Sequence, residues 1–221
     1  MATSRDLNGA VVAVVGANGG LGTPICDALA ARGATVVRAG RADGLDVHVD
    51  LRDSTAGEAL VAAATDRHGR LDGVVVAAGI VAFGDHASTE DVVIEELFLT
   101  NSMGPLWLAA RCEAALAGSN GFFVNISGVV AETPMPGMAS YSASKAAASS
   151  GLAALAKEWR RKKITVIDVR PPHTETGLAT RPLAGIAPTM PEGLAPGVVA
   201  ERIVAAIEAG ERSVSGVDFG N

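Results

Sequence analysis

Aromatic residues are scarce: Phe, Trp and Tyr together make up 4% of the 221 residues. The core must therefore be filled by aliphatic side chains. Ala, Gly and Val dominate, a mix that suits close helix-on-sheet packing. Cysteine is nearly absent. Cys26 and Cys112 stand far apart without CxxC spacing, so neither a zinc site nor a disulfide framework is expected, and a reducing cytoplasm fits. Positive charge is in deficit, with 18 Lys and Arg against 24 Asp and Glu and a formal net charge of -6. Nucleic-acid binding leans on Lys and Arg, so no nucleic-acid partner is expected. The one basic cluster, Lys157 to Lys163, reads as a solvated helix end favoured by the helix dipole. Long apolar runs are missing as well. The longest uncharged apolar stretch, residues 73–84, falls short of the roughly 18 residues of a membrane span and reads as a buried strand with its following loop. Residues 1–9 lack the basic-then-apolar pattern of a signal peptide.

What is present is alternation. Ala10 to Val15 is a β-branched run ended by Gly, and residues 35–39, 46–49, 71–77, 121–126 and 164–169 read as further strands. Helical patterns fall between them at 21–32, 54–68 (with Ser54 as N-cap), 89–117 (bent near Gly104-Pro105), 141–161 and 196–209. Residues 213–219 read as an edge strand. The expected fold class is α/β: one Rossmann-like, doubly wound parallel sheet with helices on both faces, formed by residues 1–221 as a single unit. In such sheets ligands bind at the carboxyl ends of the strands. Residues 171–197, rich in Pro and Gly, are too long for an idle connection and read as a substrate loop.

The first strand runs directly into Gly16-Ala17-Asn18-Gly19-Gly20-Leu21-Gly22, and a helix follows. Glycines let a backbone approach a pyrophosphate, and the new helix offers free N–H groups at its positive end. The spacing is GxxxGxG, and its place between strand and helix points to dinucleotide binding. The tip of the second strand selects the cofactor. An acid there would accept from the ribose hydroxyls of NAD, whereas a base would pair with the 2′-phosphate of NADP. Here the tip carries Arg38, Gly40 and Arg41, which favours NADP over NAD, although Asp43 could reach a ribose if its loop folds back.

Tyr141-Ser142-Ala143-Ser144-Lys145 places a Tyr and a Lys four apart, on one face of a helix. A nearby ammonium favours phenolate and lowers the phenol pKa, so Tyr141 suits general acid–base work on an alcohol or carbonyl oxygen. Together with the glycine turn, this resembles the short-chain dehydrogenase/reductase family over nearly the whole chain. Gly16, Gly20 and Gly22 look like the family's TGxxxGxG turn, with Val15 for Thr. Asp50-Leu51 looks like its adenine-lining pair, and Ala77-Ala78-Gly79 like its NAG motif. Asn101 matches the Asn that holds a water in the proton relay, and Tyr141 and Lys145 match the catalytic pair. Pro171 to Thr176 resembles the PGxxxT segment that holds the nicotinamide carboxamide, which points to Thr174 and Thr176. The resemblance implies hydride transfer between nicotinamide and a carbinol or carbonyl carbon, with Lys145 also holding the nicotinamide ribose. It further implies a homodimer or homotetramer built on the helix that starts near Tyr141.

One departure matters. The family places a Ser thirteen residues before the Tyr to hold the substrate oxygen, and that position is Gly128. Three readings stay open: Ser127 swings into the site, another donor such as His173 helps, or the protein binds cofactor but turns over slowly. The expectation is an NADP(H)-dependent oxidoreductase acting on a small alcohol or carbonyl. The alternative is a catalytically weak, dinucleotide-binding regulatory protein. An NAD-dependent epimerase is disfavoured by the short chain. His48, His68 and His86 read as surface or loop residues. Met135 and Met138 read as packing of the loop before Tyr141.

Overall fold

The computed structural model describes residues 4–220. β1 (Val11–Val15) is buried on both faces, and its side chains alternate between two cores: Val12 and Val14 enter one, Val11, Ala13 and Val15 the other. The order continues as α1 (Gly22–Ala31), β2 (Thr35–Gly40), β3 (Val47–His48), α2 (Ala56–His68) and β4 (Gly73–Val76). Then come α3 (Asp91–Phe98), a π-helical turn (Leu99–Met103), α4 (Gly104–Ser119), β5 (Phe122–Ile126), α5 (Ala139–Glu158), β6 (Thr165–Val169), α6 (Pro196–Ala209) and β7 (Ser213–Val214). The seven strands pair in parallel in the order β3-β2-β1-β4-β5-β6-β7. This is the doubly wound, Rossmann-like α/β sheet expected from the alternation. The order reverses between β1 and β4, which fixes where a ligand cleft opens. Leu29 and Ile203, from α1 and α6, fill the core on one face. Leu60, Leu108 and Leu152, from α2, α4 and α5, fill the other, where Phe123 and Trp159 meet edge to face at 6.4 Å.

Several boundaries differ from the sequence expectation, each for a local reason. α2 starts after Thr55 rather than Ser54, because the Asp53 carboxylate takes the Thr55 amide and hydroxyl, both at 2.8 Å. The bend before α4 is the π-turn and lies ahead of Gly104. Gly104 packs backbone to backbone on Leu51, where a side-chain carbon would collide with the Leu51 carbonyl. Pro105 follows Gly104 where the π-turn passes into α4. β7 is two residues long; Ser215 and Asp218 then cap a 3-10 turn (Gly216–Phe219), so residues 215–219 do not extend the edge strand. Among the described helices none is long and apolar enough to cross a membrane.

A third cluster lies outside the two sheet cores. Val81, Ala82 and Phe83, beyond β4, pack with Leu97, Val130, Met138 and Tyr141. Leu178, Ala179, Ala184 and Ala187 cover this cluster from the long loop after β6. Two backbone bonds pin that cover: Leu183 N–H donates to the Val81 carbonyl at 2.7 Å, and Phe83 N–H to the Ala184 carbonyl at 2.9 Å. Met138 is buried here, whereas Met135 is exposed.

Candidate active site

The glycine turn forms at the carboxyl end of β1. Gly16 has φ +85°, and a side-chain carbon there would lie 2.8 Å from the Ala78 amide nitrogen, so only Gly closes this crossing. At Gly22 a side chain would collide with the Gly16 carbonyl, and at Gly20 with the carbonyl of Thr176. Gly20 therefore has a second purpose beyond the turn: it lets the segment after β6 lie directly on it. Asn18 and Gly20 are exposed and Gly19 half-buried, while Leu21, the N-cap of α1, is buried. No side chain caps α1, and its first turn carries no acid. Its amide end is thus left electropositive, as an anion site requires.

The β2 tip lies beside this turn. Arg38 donates to the Ala17 carbonyl at 3.4 Å, and Arg41 is exposed. Among the described residues neither guanidinium makes an ion pair, while nearby Arg52 grips Asp50 at 2.6 Å. That grip, the largest influence, holds the Asp50 carboxyl down to about 2. Leu51 does not face outward with Asp50: it is buried in the core beneath. An uncapped helix end and two guanidiniums without ion pairs among the described residues fit the phosphates of a dinucleotide.

Tyr141, the chain's single tyrosine, sits in the first turn of α5, with Lys145 one turn on; both are buried. Lys145 Nζ donates to the Ile126 carbonyl at 2.9 Å. Gly79 borders the same spot, since a side-chain carbon on it would lie 3.2 Å from Lys145 Nζ and 3.1 Å from Asn101 Oδ1. Burial pushes the Lys145 ammonium down to about 8, partly offset by the charge of Asp168. Burial also pushes the Tyr141 phenol up to about 12. The expected lowering of the phenol by Lys145 is therefore overturned: desolvation wins, and the phenol is held as a proton donor.

Asn101 is placed inward by the π-turn, but its side chain is occupied. Its Oδ1 accepts from Ile80 N–H at 3.0 Å, and its Nδ2 donates to the Ile80 carbonyl at 2.9 Å and to Ser144 Oγ at 3.1 Å. It staples the loop after β4 to α5. Pro171 and the threonines lie in the segment after β6, which packs on the glycine turn through Thr176. The Pro171 carbonyl accepts from Val129 N–H at 3.0 Å, Thr174 Oγ1 donates to the Pro172 carbonyl at 2.9 Å, and Thr176 Oγ1 accepts from Leu178 N–H at 3.4 Å.

Ser127 is not in the site. It is fully buried, and its hydroxyl donates to Asp168 Oδ1 at 2.6 Å on the face packed by α5. Side chains one apart in a strand point to opposite faces, and β5 keeps that alternation to its end. His173 is also turned away, its Nε2 lying 3.1 Å from the Glu175 carboxylate. Gly128 has φ +80° and ψ 159°, a region essentially reserved for Gly. Two features escape a reading of the sequence. His86 lines the cavity mouth over Tyr141, with its Nδ1 3.3 Å from Ser140 Oγ. Asp168 gathers Ser127, Ser149 and Arg170 behind Lys145. Neither carries a spacing signal, since both depend on contacts between distant segments.

The sequence model of the short chain dehydrogenase family matches residues 10–184. An oxidoreductase of Methylorubrum extorquens is 34% identical over 200 residues, covering 81% of this chain and 79% of that protein. The galactitol 2-dehydrogenase (L-tagatose-forming) of Cereibacter sphaeroides is 32% identical over 192 residues, covering 79% and 75%. Among solved structures, a short chain dehydrogenase from Burkholderia cenocepacia in complex with NADP is 26% identical with a TM-score of 0.83, covering 96% of this chain and 89% of that one. The 3-ketoacyl-(acyl-carrier-protein) reductase from Brucella melitensis complexed with NADH, 24% identical, shares the fold at a TM-score of 0.85, covering 97% and 98%. The uncapped glycine turn, the buried Tyr141–Lys145 pair and these likenesses converge: the chain belongs to the short-chain dehydrogenase/reductase family and is an oxidoreductase that uses a nicotinamide dinucleotide.

Proposed function

We propose that the protein is an NADP(H)-dependent reductase of small carbonyl compounds, running the reverse oxidation of the alcohol when product accumulates. The observation that carries this reading is the Tyr141–Lys145 pair, buried on one face of α5 where the strand ends open beside the glycine turn. When bound, the nicotinamide supplies or accepts the hydride. Residues Gly16, Asn18, Gly19, Gly20, Leu21 and Gly22 would cradle its pyrophosphate at the start of α1. Arg38 and Arg41 would take the 2′-phosphate, Asp50 the adenine, Ala78 and Gly79 the floor of the cleft, and Pro171, Thr174 and Thr176 the carboxamide.

Tyr141 donates its phenolic proton to the substrate oxygen as negative charge builds there. A phenol held up to about 12 by burial keeps that proton until the oxygen becomes strongly basic. Lys145, held in place by the Ile126 carbonyl, sets a positive charge near the resulting phenolate and steadies it. Asn101 fixes the loop after β4 against α5, beside Gly79 and Lys145. With Ser127 and His173 turned elsewhere, Tyr141 is the protic group that meets the substrate oxygen. Residues 171–197 form the substrate loop, and its segment 178–187 covers Tyr141. The expected setting is the cytoplasm, and the expected assembly a homodimer or homotetramer.

The test is NADPH oxidation against a panel of ketones and aldehydes, beside a binding titration of NADPH and NADH. Carbonyl-dependent oxidation that Tyr141→Phe abolishes, with NADPH binding kept, supports the reading. Tight NADPH binding with no turnover on any carbonyl overturns it in favour of a binding protein.

A further inference from the structure

The catalytic face of α5 is tied from behind by one buried carboxylate. Asp168, on β6, is 7% exposed and collects donors from three directions. Ser127 Oγ donates to its Oδ1 at 2.6 Å, while Ser149 Oγ at 2.6 Å and Arg170 at 2.7 Å donate to its Oδ2. Two of these partners flank Lys145. Ser149 lies four residues after it, on the same face of α5. Ser127 shares its peptide with Ile126, whose carbonyl receives Lys145 Nζ. Asp168 thus joins the strand end that accepts the lysine to the helix turn that carries it.

Resting on the catalytic reading above, we propose that Asp168 is a positioning residue for Lys145: it sets the separation between the Ile126 carbonyl and the lysine's helix turn, and it places a negative charge behind the ammonium. A charge of the right sign matters at this depth, because an isolated buried ammonium sheds its proton. Among the described residues Asp168 is the carboxylate whose charge acts on Lys145. From β5 Lys145 meets the Ile126 carbonyl, from the loop after β4 Gly79, from the π-turn Asn101 beyond it, and on its own helix Tyr141. Arg170 works against the effect, but it is itself divided between Asp168 and Glu132, each at 2.7 Å.

The test replaces the charge and keeps the shape. In Asp168→Asn, the Lys145 ionisation is followed by NMR of protein labelled at the lysine Cε, with Lys145→Met assigning the signal. The Lys145 midpoint is expected to fall by roughly one pH unit. The high-pH limb of kcat for NADPH-dependent carbonyl reduction is expected to move down with it. Ser149→Ala keeps the carboxylate, so the midpoint should stay near that of the parent while melting temperature drops. Arg170→Gln removes the opposing cation, should move the midpoint upward, and serves as the charge test if Asp168→Asn does not fold. A midpoint that stays within about 0.2 unit of the parent in every folded charge variant overturns the proposal and leaves Asp168 a tie between β5 and α5 with no influence on Lys145. Because the NMR titration needs no turnover, it separates this outcome from failure of the catalytic reading.

Discussion

Tyr141 and Lys145 share one helix face, and burial moves their proton affinities in opposite directions, to about 12 and about 8. The linkage to stability follows. Between pH 8 and the ordinary lysine value of 10.5 the unfolded chain binds more protons at Lys145, so stability rises with pH through that window. Between the ordinary phenol value of 10.0 and 12 the folded state keeps the Tyr141 proton that the unfolded chain has lost, so stability falls there. Since Tyr141 is the only tyrosine, ultraviolet phenolate absorbance reads it directly and should appear only as the protein approaches pH 12 or unfolds. Phenolate at pH 10 in the folded protein would contradict the burial argument. Ser127 gives a sharper contrast. Ser127→Ala should cost about 1.5–3 kcal/mol of stability, as for a lost bond to a charged group, and lower kcat/KM far less than the roughly 10²-fold of a lost donor to the substrate oxygen. A large loss of kcat/KM at unchanged stability would return Ser127 to the site. Placing the hydroxyl at Gly128 instead should not create a better enzyme: Gly128→Ser forces a side chain to φ +80° and should cost roughly 1–3 kcal/mol in denaturant melts. The Tyr–Lys pair was legible because both residues lie within one turn of a single element. The orientation of Ser127 was not, because it is decided by a carboxylate on another strand, 41 residues away in sequence.

At the scale of elements, the cofactor choice belongs to the β2 tip and the start of α1. Gly40 ends β2 at φ +158°, beside Leu45 and Asn18, and among the described residues the guanidiniums of Arg38 and Arg41, which flank it in sequence, make no ion pair. NADPH should bind more tightly than NADH, and Arg41→Ala should narrow the gap by roughly 1–3 kcal/mol, the worth of a hydrogen bond to a charged group. Equal dissociation constants in the parent protein, read by fluorescence titration, would remove the case for NADP. Element order and sheet type were readable because β-branched runs and helical periodicity alternate so regularly that a parallel sheet is the remaining solution. What stayed hidden came from contacts between elements. Gly104, directly after the π-turn, packs on Leu51, and β7 is cut short because Asp218 reaches back to cap Ser215. Leu51 lies far in sequence from the turn it packs on, and Asp218 acts through a side-chain bond that hydropathy patterning does not show. The cover over Tyr141 is a similar case. Residues 171–197 announced a loop by their Pro and Gly content, but only the backbone bonds to Val81 and Phe83 reveal that the loop closes on the site.

At the scale of the whole molecule, α5 has two different faces. One carries Tyr141, Lys145, Ala148 and Leu152 into the protein. The other leaves Ala143, Ala147 and Ala154 exposed, with Gly151 half-buried between them. On a solvent-facing helix the usual choice is a long charged side chain, which covers apolar surface and keeps copies apart. Small apolar side chains instead let two backbones approach closely, and a face that pairs with its own copy across a two-fold axis closes into a dimer without open ends. The expectation is that the protein runs as a dimer or tetramer at micromolar concentration, measured by light scattering. Ala147→Arg should lower that mass, because two guanidiniums would face each other across the axis, each losing its hydration. Ala154→Arg lies two helical turns on along the same face and should act in the same direction. A change confined to this surface leaves Tyr141 and Lys145 on the opposite face, so the dissociated protein should keep its fold by circular dichroism. A monomer mass for the parent would show that this alanine face meets only water.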